Sequence, residues 1–513
     1  MKTNSDNRSG DFTKIIKDGY MSKGDTILYG VGMLDGAVIP DAQVTIPLAT
    51  LNRHGLVAGA TGTGKTKTLQ KLAELLSEKG VPSLVMDIKG DFSGVSQEGE
   101  YTDKVKLRSE ATGVPWLAKS YPTEFLSLSD DGAIRMRSTV SEFGPVLFSK
   151  MLELNDTQSS VVSLVFKYCD DKGMPLLDLA DFRKVLQYTQ TDEGKTDIEK
   201  EFGTVAGTSI GTIMRKVIEL EEQGGELLFG EPSFEVDDLI ATRDGLGVIN
   251  VIRLMNIQTK PKLFSTFMLA LLAEMYQKFP ELGDVEKPKL VVFIDEAHLL
   301  FEEASKDLLN QIEQIVKLIR SKGVGIIFCT QNPIDIPDDV LAQLGLKIQH
   351  ALRAFTAKDR DAIKKAAENY PETNFYEIDK LITELGIGEA FVTALSEKGT
   401  PTPLVHTMSA GPRSRMDTIT DDEYKKILNQ SNLVTKYNQS INRDSAYEML
   451  CKKMDDCEEG KALESEAKKE AKETNSSAVD TIMEISKNPM VRDIARTATR
   501  AAMRGILGML TKK

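Results

Sequence analysis

From residue 59 the chain reads Gly59-Ala60-Thr61-Gly62-Thr63-Gly64-Lys65-Thr66, which fits G-x-x-x-x-G-K-[ST] at every fixed position. A short apolar run, Gly55-Leu56-Val57-Ala58, precedes it. Beyond it Leu69, Leu72, Leu75 and Leu76 fall at the spacing of an amphipathic helix over Lys67 to Lys79. Strand, glycine loop and helix in that order leave few folds open. Glycines let backbone N–H groups turn inward around phosphate oxygens, and the helix points its positive end at them. Lys65 then reaches the β and γ phosphates, and Thr66 can ligate Mg2+. The spacing predicts a nucleotide site made of Gly59, Ala60, Thr61, Gly62, Thr63, Gly64, Lys65 and Thr66, with Lys67 beside it.

Pro82 to Asp87 reads as the next buried strand, giving a strand-helix-strand unit. Further on, Leu290-Val-Val-Phe-Ile-Asp295-Glu296-Ala-His298 is an apolar run ending in two adjacent carboxylates. Packing gives a buried strand no reason to end in two acids. Asp295 is expected to hold the Mg2+ shell. Glu296 is expected to polarise the attacking water, a general-base role worth roughly 10² to 10⁴ in rate. The strand Gly325-Ile-Ile-Phe-Cys-Thr330 leads into Gln331-Asn332. Strands of an open α/β sheet bring their carboxyl ends to the ligand crevice, so Gln331 is expected to sense the γ phosphate or place water. The alternative is that it only opens the Asn332-Pro333 turn. A guanine-reading Asn/Thr-Lys-x-Asp is missing, since Thr356-Ala-Lys-Asp has its lysine one place late. ATP is therefore expected over GTP.

Strand and helix patterns alternate from Leu246 onward: strand to Ile252, helix Lys262 to Phe279, strand Leu290 to Asp295, helix Ser305 to Lys322, strand Val324 to Thr330, and short strands near Ile348 and Ala390. This predicts an α/β fold with a mainly parallel sheet covered on both faces. Residues 1–25 are polar and expected to be flexible, and 26–51 form a small β element. The ATPase core is split into 52–110 and 246–417 around a mostly helical insertion at 111–245. A charged helical region, 418–486, leads to a basic amphipathic helix at 487–513.

At 513 residues the chain has room for three or four domains of roughly 100 to 200 residues each. Its longest mostly apolar stretch, Leu263 to Tyr276, is short of the roughly 20 residues that span a bilayer, so no transmembrane segment is expected. The opening MKTNSDNRSGDF lacks the apolar core of an export signal. Four cysteines and four histidines show no zinc-ligand spacing, and free thiols suit the cytoplasm. The formal charge is -13, but residues 487–513 hold seven Lys/Arg against one Asp, which leaves -19 elsewhere. A polyanion must meet that tail or a local basic channel.

Several stretches resemble the HerA-like helicase family within the HerA/FtsK group of P-loop ATPases. They are Asn52 to Thr66, Asp87-Ile-Lys-Gly-Asp, Phe293-Ile-Asp-Glu-Ala-His-Leu-Leu-Phe, Leu318-Ile-Arg-Ser-Lys-Gly-Val-Gly, Gln331-Asn-Pro-Ile-Asp-Ile-Pro-Asp and His350-Ala-Leu-Arg-Ala-Phe-Thr. The resemblance extends over about residues 26 to 450. It implies a RecA-like core in a homo-oligomeric ring of six, with ATP at each subunit boundary and DNA as substrate by analogy. A ring ATPase of this kind takes an arginine from its neighbour, worth roughly 10³ to 10⁵ in turnover. Arg320, Arg353 and Arg360 are the candidates, and Arg353 is preferred because it lies in the family-like segment. Two features depart from the family. The β segment before the core is short for the family's barrel, and 230 residues separate Lys65 from Asp295, which puts the helical insertion on the ring's face or in its pore.

In the tail, Arg492, Arg496, Arg500 and Arg504 recur every four residues and form one slowly winding stripe. It suits DNA phosphates, an anionic membrane surface touched peripherally, a partner's acidic groove, or simple packing. The leading expectation is an Mg2+-dependent ATP hydrolase driving a DNA motor. The rivals are an ATP-gated scaffold or remodeller of a protein partner and a membrane-surface ATPase.

Overall fold

In the computed structural model the described residues are 2–453, except 255–259, 284, 303–305, 355, 440 and 442. The basic helix expected at 487–513 lies outside them, as do residues 454–486.

Short apolar runs bounded by glycines and polar turns become the strands. These are β1 (Thr26–Leu34), β2 (Ala37–Pro47), β3 (Gly55–Ala58), β4 (Ser83–Asp87), β5 (Thr123–Ser127), β6 (Ile134–Arg135), β7 (Thr242–Arg243), β8 (Leu246–Gly247), β9 (Ile249–Arg253), β10 (Leu290–Ile294), β11 (Val324–Thr330), β12 (Leu346–Gln349), β13 (Glu389–Thr393) and β14 (Val405–Ser409). All but β7 and β8, which make a separate ribbon, join one sheet in the order β2-β1-β14-β13-β12-β3-β11-β10-β4-β9-β5-β6. From β12 to β6 neighbouring strands run parallel, while β2, β1, β14 and β13 add an antiparallel extension beside β12. Every residue of β10 and β11 is buried, as befits parallel strands covered on both faces.

The strand-helix-strand unit is opened by two insertions. β3 and β4 are parallel, but β11 and β10 lie between them. Ala58 is in register with both Thr330 and Gln349, and Ile294 with both Met86 and Phe328. The carboxyl ends of five strands therefore meet at one edge of the sheet.

The helices are α1 (Lys2–Gly19), α2 (Lys65–Glu78), α3 (Asp103–Thr112), α4 (Val140–Met151), α5 (Asp156–Lys172), α6 (Leu179–Tyr188), α7 (Asp192–Phe202), α8 (Gly207–Glu222), α9 (Pro261–Lys278), α10 (His298–Phe301) and α11 (Lys306–Ile319), with further short helices toward residue 453. In α2 the stripe Leu69, Leu72, Ala73 and Leu76 is buried in the core that holds Val57 and Val85. Each buried leucine contributes about 1.5 to 3 kcal/mol.

Two compact units result. One comprises the chain to Ser138, Glu222–Leu228 and Pro232–Gln439, and it holds the sheet. The other comprises Thr139–Glu221, Phe229–Glu231 and the described residues between 441 and 453. In this second unit the helix starts are written in capping boxes: Thr139 with Glu142, Asn155 with Gln158, and Asp178 with Asp181. Its core is aromatic, with Phe148 packed on Phe166, Phe182 and Phe229.

Three domain assignments differ from the sequence reading. Residues 1–25, expected to be flexible, carry α1, because Phe12, Ile16 and Tyr20 recur every four residues and all three are buried. Phe12 meets Phe375 edge to face at 5.1 Å between centroids, and the Tyr20 hydroxyl donates to the carbonyls of Val392 and Pro403. The insertion assigned to 111–245 is helical only from Thr139, since β5 and β6 belong to the main sheet, with β5 fully buried against β9. The region assigned to 418–486 also divides at Gln439. The helix Asp421–Gln430 lies in the sheet-bearing unit, and Ala446–Lys453 in the other, where the Asp181 carboxylate accepts from Ser445 and Tyr447.

Candidate functional site

The glycine loop leaves β3 at Ala58 and enters α2 at Lys65, as strand and helix patterns require. A Cβ on Gly59 would lie 2.6 Å from the His350 Cβ, and Gly64 has φ 113°, so both positions need glycine. The loop is braced by its neighbours. Gly59 N–H donates to the Thr330 carbonyl (3.2 Å), Ala60 N–H to the Ala351 carbonyl (2.8 Å), and Gly388 N–H to the Thr63 carbonyl (3.2 Å). Inside it the Thr63 hydroxyl donates to the Ala60 carbonyl at 2.8 Å. Thr61 and Gly62 form the exposed apex.

No side chain caps α2, so the N–H groups of its first turn are left for a ligand at the positive end of the helix dipole. Lys65 arches back over the loop, its Nζ donating to the carbonyls of Gly59 (2.7 Å) and Ala60 (3.2 Å). Burial pushes its pKa down from the ordinary lysine value. Thr66 lies half-buried in the same turn. Lys67 does not aim its ammonium into the loop. It donates to the Met416 carbonyl and to Gln70 Oε1, which leaves only its backbone N–H on the phosphate side.

The acids lie two strands away. Asp295 and Glu296 follow β10 and are both buried. Burial raises the Asp295 pKa above the usual carboxylate value, and the Lys89 charge only partly offsets this. Glu296 goes the other way. Burial would raise it, but the bond and charge of Lys89, together with His298 and Lys65, outweigh burial and hold it below its usual value. Lys89 Nζ is ion-paired with Glu296 Oε1, and His298 Nδ1 lies 3.3 Å from Oε2. Glu296 has φ 46°, a left-handed conformation that is strained for a residue with a Cβ.

Asp87, at the end of β4, stands beside these acids, and burial pushes its pKa up to about 6. Its Oδ1 accepts from Gly90 N–H (2.7 Å) and its Oδ2 from Phe92 N–H (3.2 Å), which shapes the turn carrying Lys89. Neither Lys89 nor His350 is a site candidate in the sequence reading. Both stand inside the family-like segments, but only the fold shows what they touch.

Gln331 is exposed at the end of β11, next to the loop's own strand. The turn behind it is fixed by Asp335, whose Oδ2 accepts from the Thr330 hydroxyl (2.6 Å) and Asn332 N–H (3.1 Å). Arg353 is exposed two residues past Ala351, and Arg360 is exposed on the helix Ala357–Glu368. Arg320 precedes the amino end of β11, at the opposite end of that strand from the loop. Among the described residues no three His, Cys, Asp or Glu side chains gather into a metal cage. The expected donors, the Thr66 hydroxyl and the Asp295 carboxylate, have the chemistry that suits Mg2+, which commonly takes few protein ligands and completes its shell with phosphate and water.

Residues 34–513 match the family model described as Helicase HerA-like C-terminal. The chain belongs to this family. It is a P-loop ATPase of the HerA/FtsK type. Its similar relatives include the DNA double-strand break repair helicase HerA of Sulfolobus acidocaldarius, 21% identical over 402 residues, covering 77% of this chain and 72% of that one. The protein of the same name from Pyrococcus furiosus is 22% identical over 403 residues, covering 70% and 66%. Among solved structures, the bacterial conjugative coupling protein TrwB aligns with a TM-score of 0.51 and 14% identity over 79% of this chain and 95% of its own. That likeness is one of fold, a RecA-like α/β core. Among the described residues no helix is long and apolar enough to cross a membrane.

Proposed function

We propose that this family member is an Mg2+-dependent ATP hydrolase that assembles into a homo-oligomeric ring, of six subunits, and moves along DNA. The observation that carries the hydrolase reading is the placement of Glu296, buried beside Asp295 at the same sheet edge as the phosphate loop. Gly59 to Thr66 would take the phosphates through backbone N–H groups, with Lys67 adding its own. Lys65 would exchange its loop carbonyls for the β and γ phosphates. Thr66 and Asp295 would hold Mg2+, whose charge screens the phosphate oxygens. Glu296 would take a proton from water as the water oxygen bonds to the γ phosphorus. The bond from that phosphorus to the β-γ bridging oxygen breaks, leaving ADP and phosphate. Gln331 would place the water, and Arg353 would act on the neighbouring subunit's site.

DNA as substrate is supported by the names of the relatives and by the basic 487–513 segment. Cys169 and Cys329 are buried free thiols, which supports a reducing compartment, the cytoplasm. One observation favours a second reading: a net charge of -13 repels phosphate over most of the surface, as a remodeller of a protein partner would tolerate. The deciding experiment is the ATPase rate with and without duplex DNA. Stimulation is the expected result. A rate indifferent to DNA at low salt would transfer the motor to a protein or membrane partner.

A further inference from the structure

The two oxygens of the Glu296 carboxylate are treated unequally. Oε1 is ion-paired with Lys89, whereas Oε2 is buried and accepts no hydrogen bond, although His298 Nδ1 lies 3.3 Å from it. A buried carboxylate oxygen without a donor carries an uncompensated desolvation cost. Such an atom calls for an explanation, and a water that must be activated is one that a hydrolase provides.

Lys89 is held where it is by more than its own pair. β4 and β10 are adjacent and parallel, with Met86 level with Ile294, so the turns that follow them leave the sheet side by side. The Asp87 carboxylate binds the N–H groups of Gly90 and Phe92, and Gly90 has φ 79°, so the turn is fixed at both ends around Lys89. On the facing turn Glu296 adopts its left-handed backbone conformation at φ 46°. Strain of this kind persists only where the surroundings fix it. The Lys89 pair is one such restraint, and it acts on one oxygen only.

We propose that Lys89 is a positioning residue for Glu296, holding the carboxylate through Oε1 so that Oε2 is the oxygen presented to the attacking water. The inference rests on the reading of Glu296 as the base. It assigns Lys89 to the alignment of that base and not to the binding of nucleotide. Its effect belongs in kcat.

Steady-state kinetics and nucleotide binding of the full-length protein test this. Lys89→Ala is expected to lower kcat by about 30- to 100-fold, the scale of losing alignment in a reacting geometry. KM and the affinity for a fluorescent non-hydrolysable ATP analogue should stay near the parent values, and that affinity also reports that the variant is folded. Lys89→Arg, which keeps a cationic donor for Oε1, should restore most of the lost turnover. In a Glu296→Gln background, Lys89→Ala should cause no further loss, because both changes act on one unit.

An unchanged kcat in Lys89→Ala would overturn the proposal. So would a lost analogue affinity with kcat preserved, which would make Lys89 a phosphate contact, or a raised kcat, which would make the pair a restraint. If Glu296→Gln alone turned over normally, the base assignment itself would fall, whatever Lys89 did.

Discussion

His350 Nε2 lies 2.8 Å from the Thr68 hydroxyl, one turn into the helix that follows the phosphate loop. The other ring nitrogen, Nδ1, lies 2.9 Å from the Glu389 carbonyl, which can only accept. Nδ1 therefore carries the proton and Nε2 accepts from Thr68, whose oxygen lies 3.0 Å from the Tyr29 phenol. One neutral imidazole thus ties α2 to β1, β12 and β13.

The buried rings of His350 and His54 should resist protonation. Burial pushes both pKa values down to about 4. An unfolded histidine takes a proton near pH 6.5, so the stability from each ring is complete above that pH and is lost as pH falls toward 4. At pH 5 the loss is about 2 kcal/mol per ring. Asp87, raised to about 6, works in the opposite direction, gaining stability as pH falls from 6 toward 4, so a bulk melting curve would mix the two. Histidine side-chain NMR separates them. The His54 and His350 rings should remain neutral at pH 5, and a His350 that titrates near 6.5 would refute the buried neutral tautomer.

Binding and hydrolysis should part company between two substitutions. Lys65→Ala removes the ammonium that covers the loop and should abolish ATP binding. Glu296→Gln keeps the shape, removes the base and should leave binding intact while lowering kcat by about 10² to 10⁴. Equilibrium binding of labelled ATP, read beside phosphate release, distinguishes the two. Near-normal turnover in Glu296→Gln would place the base elsewhere.

How far the chain could be read in advance depended on whether each signal was local. The strand before Gly59, the helix after Lys65 and the apolar runs ending at Asp295 and Thr330 are all visible in sequence, because burial and turn chemistry act on neighbouring residues there. Helix α1 was hidden because only a few of its residues are apolar, and what orders them is packing against Phe375 and Tyr376, far along the chain. β5 was hidden as well. It includes Glu124, a buried acid whose partner Arg243 is 119 residues away, so its sequence looks too polar for a core strand. The Lys89–Glu296 pair joins two sheet neighbours separated by more than 200 residues. Sequence spacing carries no trace of such a pair, whereas strand order does.

Assembly is the third expectation. Arg320 is remote from the loop of its own chain, and Arg353 and Arg360 are exposed, so an arginine acting on a neighbour requires that neighbour to be present. Mass photometry with ATP and Mg2+ should show species well above the 56.6 kDa of one chain. Arg353→Ala should keep that assembly and lose turnover by about 10³-fold or more. A strictly monomeric protein with full activity would remove both the ring and the arginine assignment.

DNA binding, finally, should be sensitive to salt and indifferent to sequence, with part of it supplied by the basic C-terminal segment. The reason is charge. With -19 on the rest of the chain, the stretch from Lys487 to Lys513, at +6, is the one long basic run in the sequence. If its four regularly spaced arginines neutralise four phosphates, truncation after Ser486 should reduce the log-log salt slope by about 3 to 4 units. In a ring, several tails beside one duplex would act at high effective concentration, so the loss of affinity should exceed that of a single tail. A truncated protein that kept both its affinity and its salt slope would assign the DNA contacts to the rest of the chain. The tail would then be free for an anionic membrane surface or for packing, and vesicle binding by the isolated 487–513 peptide would separate those two.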